Sequence, residues 1–335
     1  MAAVYHNIDR QRVFVTGANS LLATNTIIAL LQQGFAVQGL LRCEGNYKGP
    51  RHEHLNLVEG DIQNIHDLDR ALKDCQYAIH IAALTDQSRL TYEDYERTNV
   101  LGTTNVASAC VRQGVQKLIY VSTANVFGFG NQNHPGNENQ STRPPFTHSH
   151  YTTSKLKAQR ALLNFADDLE ITIVNPSFMI GAYDTKPSSG RIILMGLRHK
   201  LVLCPPGGKN FVSVTDVAKG LIRALIEGKH RQAYILANEN LKYRDFFKKL
   251  RRQINHKFLI IELPSAVFLA IGYMGNLLRF MGIPTEMSLT NMRMVCTETY
   301  YSNAKSISQL NLSYEPIDAG IEKALRWFEN QMRTI

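Results

Sequence analysis

The chain has 335 residues, 44% hydrophobic and 19% charged, with 37 Lys and Arg against 28 Asp and Glu for a formal net charge of +9. That length can bury one large core or two moderate ones, and 22 glycines and 11 prolines exclude collagen-like and low-complexity chains. A single tryptophan and no interleaved basic and aromatic module argue against nucleic acid, so the positive balance reads as general basicity or attraction for anionic ligands.

In chain order, residues 12–16 predict a buried strand centred on Val13-Phe14-Val15, and about 21–33 a helix stopped by Gly34. Strands follow at 36–41 and 56–59, a helix at 68–73, a strand at 77–83 and a long helix at 92–113 closed by Gly114. A fifth strand at 117–122, a helix at 151–168 and a sixth strand at 171–175 complete the first half. This alternation predicts an α/β fold, a Rossmann-type doubly wound parallel sheet whose ligands sit beyond the carboxyl ends of the strands.

The second half is less regular. It holds a helix at 215–227, a returning strand at 232–237, an amphipathic basic helix at 243–254, an apolar stretch at 259–283 and a last helix at 319–332. The expected division is a dinucleotide-binding core at 11–180, with returning segments near 210–238, and a smaller, interleaved C-terminal cap at 181–335 that binds substrate. The apolar stretch reads as a buried cap helix. Its alternatives are a pocket for an apolar substrate, lined by Phe268, Tyr273, Met274, Leu277, Phe280 and Met281, or a surface touching a membrane. Lys248, Lys249, Arg251 and Arg252 read as a solvated helix face, and the Asn-, Gly- and Pro-rich loop 128–150 is long enough to be functional.

Five scattered cysteines (Cys43, Cys75, Cys110, Cys204 and Cys296) show no metal-ligand spacing and read as buried thiols in a reducing compartment. No metal is expected. Residues 1–12 carry no signal-like apolar run, and the uncharged stretch 263–278 is shorter than the roughly 20 residues that span a bilayer. A cytoplasmic protein is expected, and membrane contact is not.

The turn Thr16-Gly17-Ala18-Asn19-Ser20-Leu21-Leu22-Ala23, between the first strand and its helix, is where backbone N–H groups and the helix dipole favour a pyrophosphate. Thr16, Gly17, Asn19, Ser20, Leu21 and Leu22 are the candidate contacts. Ser20 places a Cβ where backbone should approach phosphate, although its hydroxyl can itself donate. Arg42, at the end of the second strand, suits the 2′-phosphate of NADP where a carboxylate would suit the ribose of NAD. Lys48 can assist it.

Tyr151 and Lys155, four apart, share one helix face. A tyrosine near its free pKa of about 10 is a poor base at neutral pH, and a nearby ammonium favours its phenolate. Upstream, Tyr120-Val-Ser-Thr123-Ala-Asn-Val-Phe-Gly128 ends the fifth strand in hydroxyls.

With these motifs the chain resembles the extended short-chain dehydrogenases/reductases of the NAD-dependent epimerase/dehydratase family, and within it the dihydroflavonol-4-reductase-like branch. The likeness extends through His80-Ile-Ala-Ala83, Asn99-Val-Leu-Gly-Thr-Thr-Asn105, Asn175-Pro-Ser-Phe-Met-Ile-Gly181 and Asn210-Phe-Val-Ser-Val-Thr-Asp216. It implies Tyr151 as general acid/base, Lys155 as its pKa-lowering partner and ribose ligand, and Thr123 as the hydroxyl that orients the substrate oxygen. It further implies Asp61 and Ile62 near the adenine, Ala82 and Ala83 along the cofactor, Pro176 and Ser177 near the nicotinamide, and Asn99 as a structural or relay residue. His80 reads as a packed strand-end histidine.

The expected activity is NAD(P)-dependent reduction of a ketone or aldehyde, with NADP preferred and NAD as the other candidate. The alternatives are a sugar epimerase retaining NAD and a non-catalytic dinucleotide-binding protein. Dehydratase chemistry is not expected, because Ala124 and Asn125 stand where the sugar dehydratases carry Asp and Glu. The partner is a small carbonyl or sugar substrate, and a homodimer is one arrangement such a chain can take.

Overall fold

The computed structural model describes residues 11–333. Strand β1 (Arg12–Thr16) leads through a tight turn into α1 (Leu21–Gln32), followed by β2 (Ala36–Leu41), β3 (Leu55–Glu59), α2 (Ile65–Leu72) and β4 (Tyr77–His80). A continuous helical stretch then runs through α3 (Glu93–Tyr95), a π-helical turn (Glu96–Leu101) and α4 (Gly102–Arg112). Next come β5 (Lys117–Val121), α5 (His150–Leu162), β6 (Glu170–Pro176), β7 (Phe178–Ile180), α6 (Arg191–Arg198), β8 (Leu201–Cys204), β9 (Gly208–Ser213), α7 (Val214–Glu227) and β10 (Ala233–Leu236). The chain closes with β11 (Glu239–Lys242), α8 (Tyr243–Gln253), β12 (Leu259–Glu262), α9 (Ser265–Phe280), α10 (Leu289–Cys296), β13 (Glu298–Thr299), α11 (Ala304–Leu310) and α12 (Ile317–Arg333).

Seven parallel strands form the main sheet in the order β10-β6-β5-β4-β1-β2-β3. The central strands are apolar on both faces, as a sheet covered by helices on both sides requires. Val13, Val15 and Ile79 pack toward α1 and α7, whereas Phe14, Ala78 and Leu118 pack toward α2, α4 and α5. Strand order reverses between β1 and β4, and that switch point opens a crevice at the carboxyl edge of the sheet.

A second sheet, β11-β9-β13 with β7 on β9, and a parallel β8–β12 ribbon lie outside the main sheet. Their apolar side chains join those of α6, α8 and α12 in a separate cluster around Phe211, Phe246, Phe247 and Phe258. The two halves are pinned together by Asn25 of α1, whose Nδ2 donates to the Ala182 carbonyl at 2.9 Å.

Several expectations are corrected. The strand expected at 77–83 ends at His80, because the backbone N–H groups of Ile81 and Ala82 turn to the Thr16 hydroxyl, each at 3.0 Å. The helix expected at 151–168 stops at Leu162 and tightens into a 3₁₀ turn over Leu163–Phe165. The stretch 259–283 is not a buried helix: it is β12 followed by α9, in which only Gly272 and Gly275 are buried. Of the five thiols, Cys75, Cys110 and Cys204 are buried, Cys296 is partly so and Cys43 is exposed.

Candidate active site

The crevice begins with the turn after β1. Gly17 has φ +69°, a left-handed conformation that side chains with a Cβ resist, and a Cβ there would stand 3.1 Å from the Ala82 Cα. The tight turn and the close approach of the chain after β4 both depend on it. Ser20 has ordinary extended angles, φ −87° and ψ 161°, so the turn does not require glycine at that position. Its Oγ accepts from the Ala23 N–H at 3.3 Å and caps α1. Leu21 and Leu22 bury their side chains, which leaves only their backbone N–H groups for an anion. Ala23 is fully buried in the core beside β1.

Thr16 is committed elsewhere. Its hydroxyl donates to His80 Nδ1 at 2.8 Å while accepting from Ile81 and Ala82, and His80 Nε2 then donates to Thr103 Oγ1 at 3.0 Å. Thr103 passes its own proton to the Asn99 carbonyl at 2.6 Å, which fixes the direction of the chain. Burial, reinforced by the charge of Lys155, pushes the His80 pKa down to about 3, so the ring is a neutral structural link. This is the packed strand-end histidine expected from the sequence.

At the ends of β2 and β3, Arg42 is exposed and has no partner among the described residues. Lys48 reaches only the Gly45 carbonyl, at 3.5 Å. Asp61 Oδ1 accepts from Gln63 N at 2.9 Å in a local turn, and the Ile62 side chain is buried in the core against α4.

Between β5 and α5 stand the hydroxyls and the amine. Thr123 is buried, caps the turn Ala124–Val126 and is tied by its carbonyl to Asn175 Nδ2 at 3.0 Å. Burial pushes the Tyr151 phenol up to about 12, opposed by a hydrogen bond with Thr123. Lys155 is buried, its Nζ donating to the Val121 carbonyl at 2.6 Å and lying 4.4 Å from the centre of the Tyr120 ring. Burial lowers its pKa to about 7. The expected effect of Lys155 on Tyr151 is not what this arrangement shows: the amine is engaged with strand β5, and the phenol is raised, not lowered.

The π turn serves this edge. It carries Asn99, whose Oδ1 accepts from Leu84 N at 2.7 Å, while its Nδ2 donates to the Leu84 carbonyl and to Ser154 Oγ, at 3.0 and 2.9 Å. Ser154 in turn donates to the Tyr151 carbonyl at 2.8 Å. Asn99 thus joins the chain after β4 to the first turn of α5, with every polar atom of its amide occupied. Pro176 closes β6, and Ser177 Oγ donates to Asn210 Oδ1 at 2.6 Å.

Three contributors escaped the sequence reading. Asn175 lies within a motif that drew attention to the residues after it. Ser122 has a buried Oγ without a partner among the described residues, beside Thr123. Tyr95 donates to the Asp86 carbonyl at 2.5 Å, fixing the loop that follows Ala83, and its ring lies tilted against His150.

The residues present fit a dinucleotide. A glycine turn in close contact with the chain after β4, N–H groups at the start of α1, a guanidinium beyond β2 with no partner among the described residues and an orphaned hydroxyl at the end of β5 follow one edge of the sheet. Among the described residues no cluster of potential metal ligands occurs.

Residues 13–237 match the model of the NAD dependent epimerase/dehydratase family. A Synechocystis sp. protein provisionally named dihydroflavonol 4-reductase is 28% identical over 95% of this chain and 94% of its own. A Stigmatella aurantiaca protein named 4-hydroxy-2-methyl-3-oxo-4-farnesyl-3,4-dihydroquinoline-1-oxide ketoreductase is 26% identical over 79% of this chain and 80% of its own. The crystal structure of gox2253 superposes with a TM-score of 0.81 at 26% identity, covering 96% of this chain and 99% of that one.

Proposed function

Because the chain belongs to the NAD dependent epimerase/dehydratase family, and so is a short-chain dehydrogenase/reductase-type oxidoreductase or epimerase, we propose that it reduces a ketone or aldehyde to an alcohol with NADPH. The observation that carries this reading is the state of Tyr151, a phenol held by Thr123 and pushed up to about 12 at the carboxyl edge of the sheet. At neutral pH it bears the proton that carbonyl reduction consumes. Arg42, without a partner among the described residues, suits the 2′-phosphate of NADPH and so favours net reduction over an epimerase that recycles a retained NAD.

In this reading the nicotinamide, when bound, supplies hydride. Thr123 orients the carbonyl oxygen and Tyr151 donates its proton to it. Lys155, held by Val121, presents its amine beside the same helix turn and contacts the ribose. Gly17, Asn19 and the N–H groups of Ser20, Leu21 and Leu22 would hold the pyrophosphate, while Thr16 shapes the turn through His80, Ile81 and Ala82. Ala82, Ala83, Pro176 and Ser177 flank the nicotinamide half, with Asp61 and Ile62 at the adenine end. Arg42 pairs with a 2′-phosphate, for which it is free. The core at 11–180 with 210–238 would carry the cofactor and the remainder the substrate. The Stigmatella relative, named a ketoreductase, supports the same direction of reaction.

The test is purified full-length protein with NADPH or NADH and a panel of ketones and aldehydes, following loss of the reduced-nicotinamide absorbance. We expect turnover with NADPH, its loss in Tyr151→Phe, and nearly unchanged cofactor affinity in that variant. Conversion of a sugar nucleotide to its epimer without net cofactor consumption would replace this reading. Failure to bind either cofactor would remove it.

A further inference from the structure

Helix α9 turns an apolar face outward. Where α10 lies against it the residues are glycines, and a Cβ on Gly272 would stand 2.8 Å from the Leu289 Cα. Its single charged residue, Arg279, points inward and donates to the carbonyls of Gln87, Ser88, Arg89 and Thr285. Outside remain Tyr273, Met274, Leu277 and Phe280, and then Met281; Phe280 is 90% exposed and Met281 66%. Scattered exposed apolar residues are ordinary, but a helix face without a charge is not.

The chain entering α9 repeats the pattern with a different periodicity. Leu259 pairs with Leu201 and Ile261 with Leu203 in the β8–β12 ribbon, and all four are exposed. The alternate residues of β8, Val202 and Cys204, fill the cap core, so this strand is apolar on both faces where a half-exposed strand normally alternates with polar residues. Arg198, Lys200, Arg252 and Lys257 are exposed at the start of the ribbon without an acidic partner among the described residues. Lys257 also shares a shallow depression with Lys248, Arg251 and Arg252.

We propose that α9 and the β8–β12 ribbon dock the protein on a bilayer surface that carries anionic lipids. Apolar side chains enter the boundary between headgroups and acyl chains, and unpaired cations meet the lipid phosphates. A second copy is the poorer occupant, because a two-fold contact brings the same unpaired cations toward each other. At 1.5 Å per residue, α9 is about 24 Å long. No described helix is long and apolar enough to cross a membrane, so α9 lies in the plane of the surface. Docking sets the crevice beside the bilayer, since Arg279 holds the loop that continues from Ala82 and Ala83. The surface itself does not depend on the catalytic reading.

The test is flotation of the full-length protein with vesicles of phosphatidylcholine alone and of phosphatidylcholine mixed with phosphatidylglycerol. We expect flotation with the mixed vesicles, reduced by added salt. Met274→Glu with Phe280→Glu, both on exposed side chains, should reduce binding more than tenfold while leaving the melting temperature and cofactor affinity unchanged. Lys200→Gln with Lys257→Gln should weaken binding to the mixed vesicles about fivefold per charge removed, without affecting weak binding to phosphatidylcholine. The proposal is overturned if the wild type does not float, or if neither pair of substitutions reduces flotation. It is equally overturned if light scattering shows a dimer that the Glu substitutions convert to a monomer while vesicles are ignored.

Discussion

Arg42, Lys155 and His80 show how differently one kind of residue, a potential cation, is used in this molecule. Arg42 projects from the end of β2 without a partner among the described residues, so its removal costs the fold little. Arg42→Ala should weaken NADPH binding about 10- to 100-fold, the range of one lost charge-assisted hydrogen bond, and leave NADH binding nearly unchanged. Equal loss for both cofactors, read by fluorescence titration, would remove its role in selectivity.

Lys155 is the opposite case. Its amine is buried and its pKa is lowered to about 7, against about 10.4 when unfolded. Between those values the unfolded chain binds a proton that the native one does not, so stability rises with pH across that window. Lys155→Met should therefore raise the melting temperature by a few degrees at pH 7, with the gain shrinking toward pH 10.5, while turnover is lost. A variant that melts lower at every pH would show that the bond to Val121 outweighs the cost of burial.

For His80 the native pKa near 3 lies below the unfolded value of about 6.5. Its burial as a neutral ring contributes stability that is complete above pH 6.5 and falls as acid is added, by about 1.4 kcal/mol per pH unit. Urea unfolding of the wild type and His80→Gln should thus give a difference that narrows by about 2 kcal/mol between pH 6.5 and 5. A constant difference would mean that the ring is protonated in the native state.

At the scale of elements, most of the core was legible. β1 and β2 run over the residues expected, because short apolar runs bounded by Gly17 and Gly34 leave few alternatives. The irregular elements were not legible. The π turn has no composition of its own, and it carries Asn99, which reaches both Leu84 and Ser154. Asn99→Leu should therefore lower kcat more than KM, with a stability loss of about 1–3 kcal/mol from unsatisfied partners. Unchanged kcat would leave Asn99 as a purely structural clamp. Strands β7, β9, β11 and β13 are two to six residues long and lie in a sheet whose pairing joins segments far apart in sequence. Their periodicity is too brief to stand out.

At the scale of the whole molecule, the charge of +9 acquires a place without being fully assigned. Much of the surface charge is paired locally, as in Lys249 with Glu239 and Asp318, or Arg112 with Asp69. Such pairs, partly open to solvent, contribute little stability. Some of the cations without partners among the described residues are more informative: Arg42 beside the crevice, and Arg198, Lys200, Arg252 and Lys257 beside the apolar ribbon.

The sequence by itself determined the succession of strands and helices in the first half of the chain and the placing of Tyr151 and Lys155 on one helix face. Those features follow from local periodicity, from turns that require glycine and from the four-residue repeat of a helix. The tertiary structure alone decided which face of the apolar segment 259–283 meets protein and which is left outside. Hydrophobicity records that a surface avoids water, and only packing shows whether the molecule's own residues cover it. It also decided that Lys155 donates to Val121 and that Ser20 caps α1, because each hydrogen-bond partner is brought there by the turn or strand folded beside it.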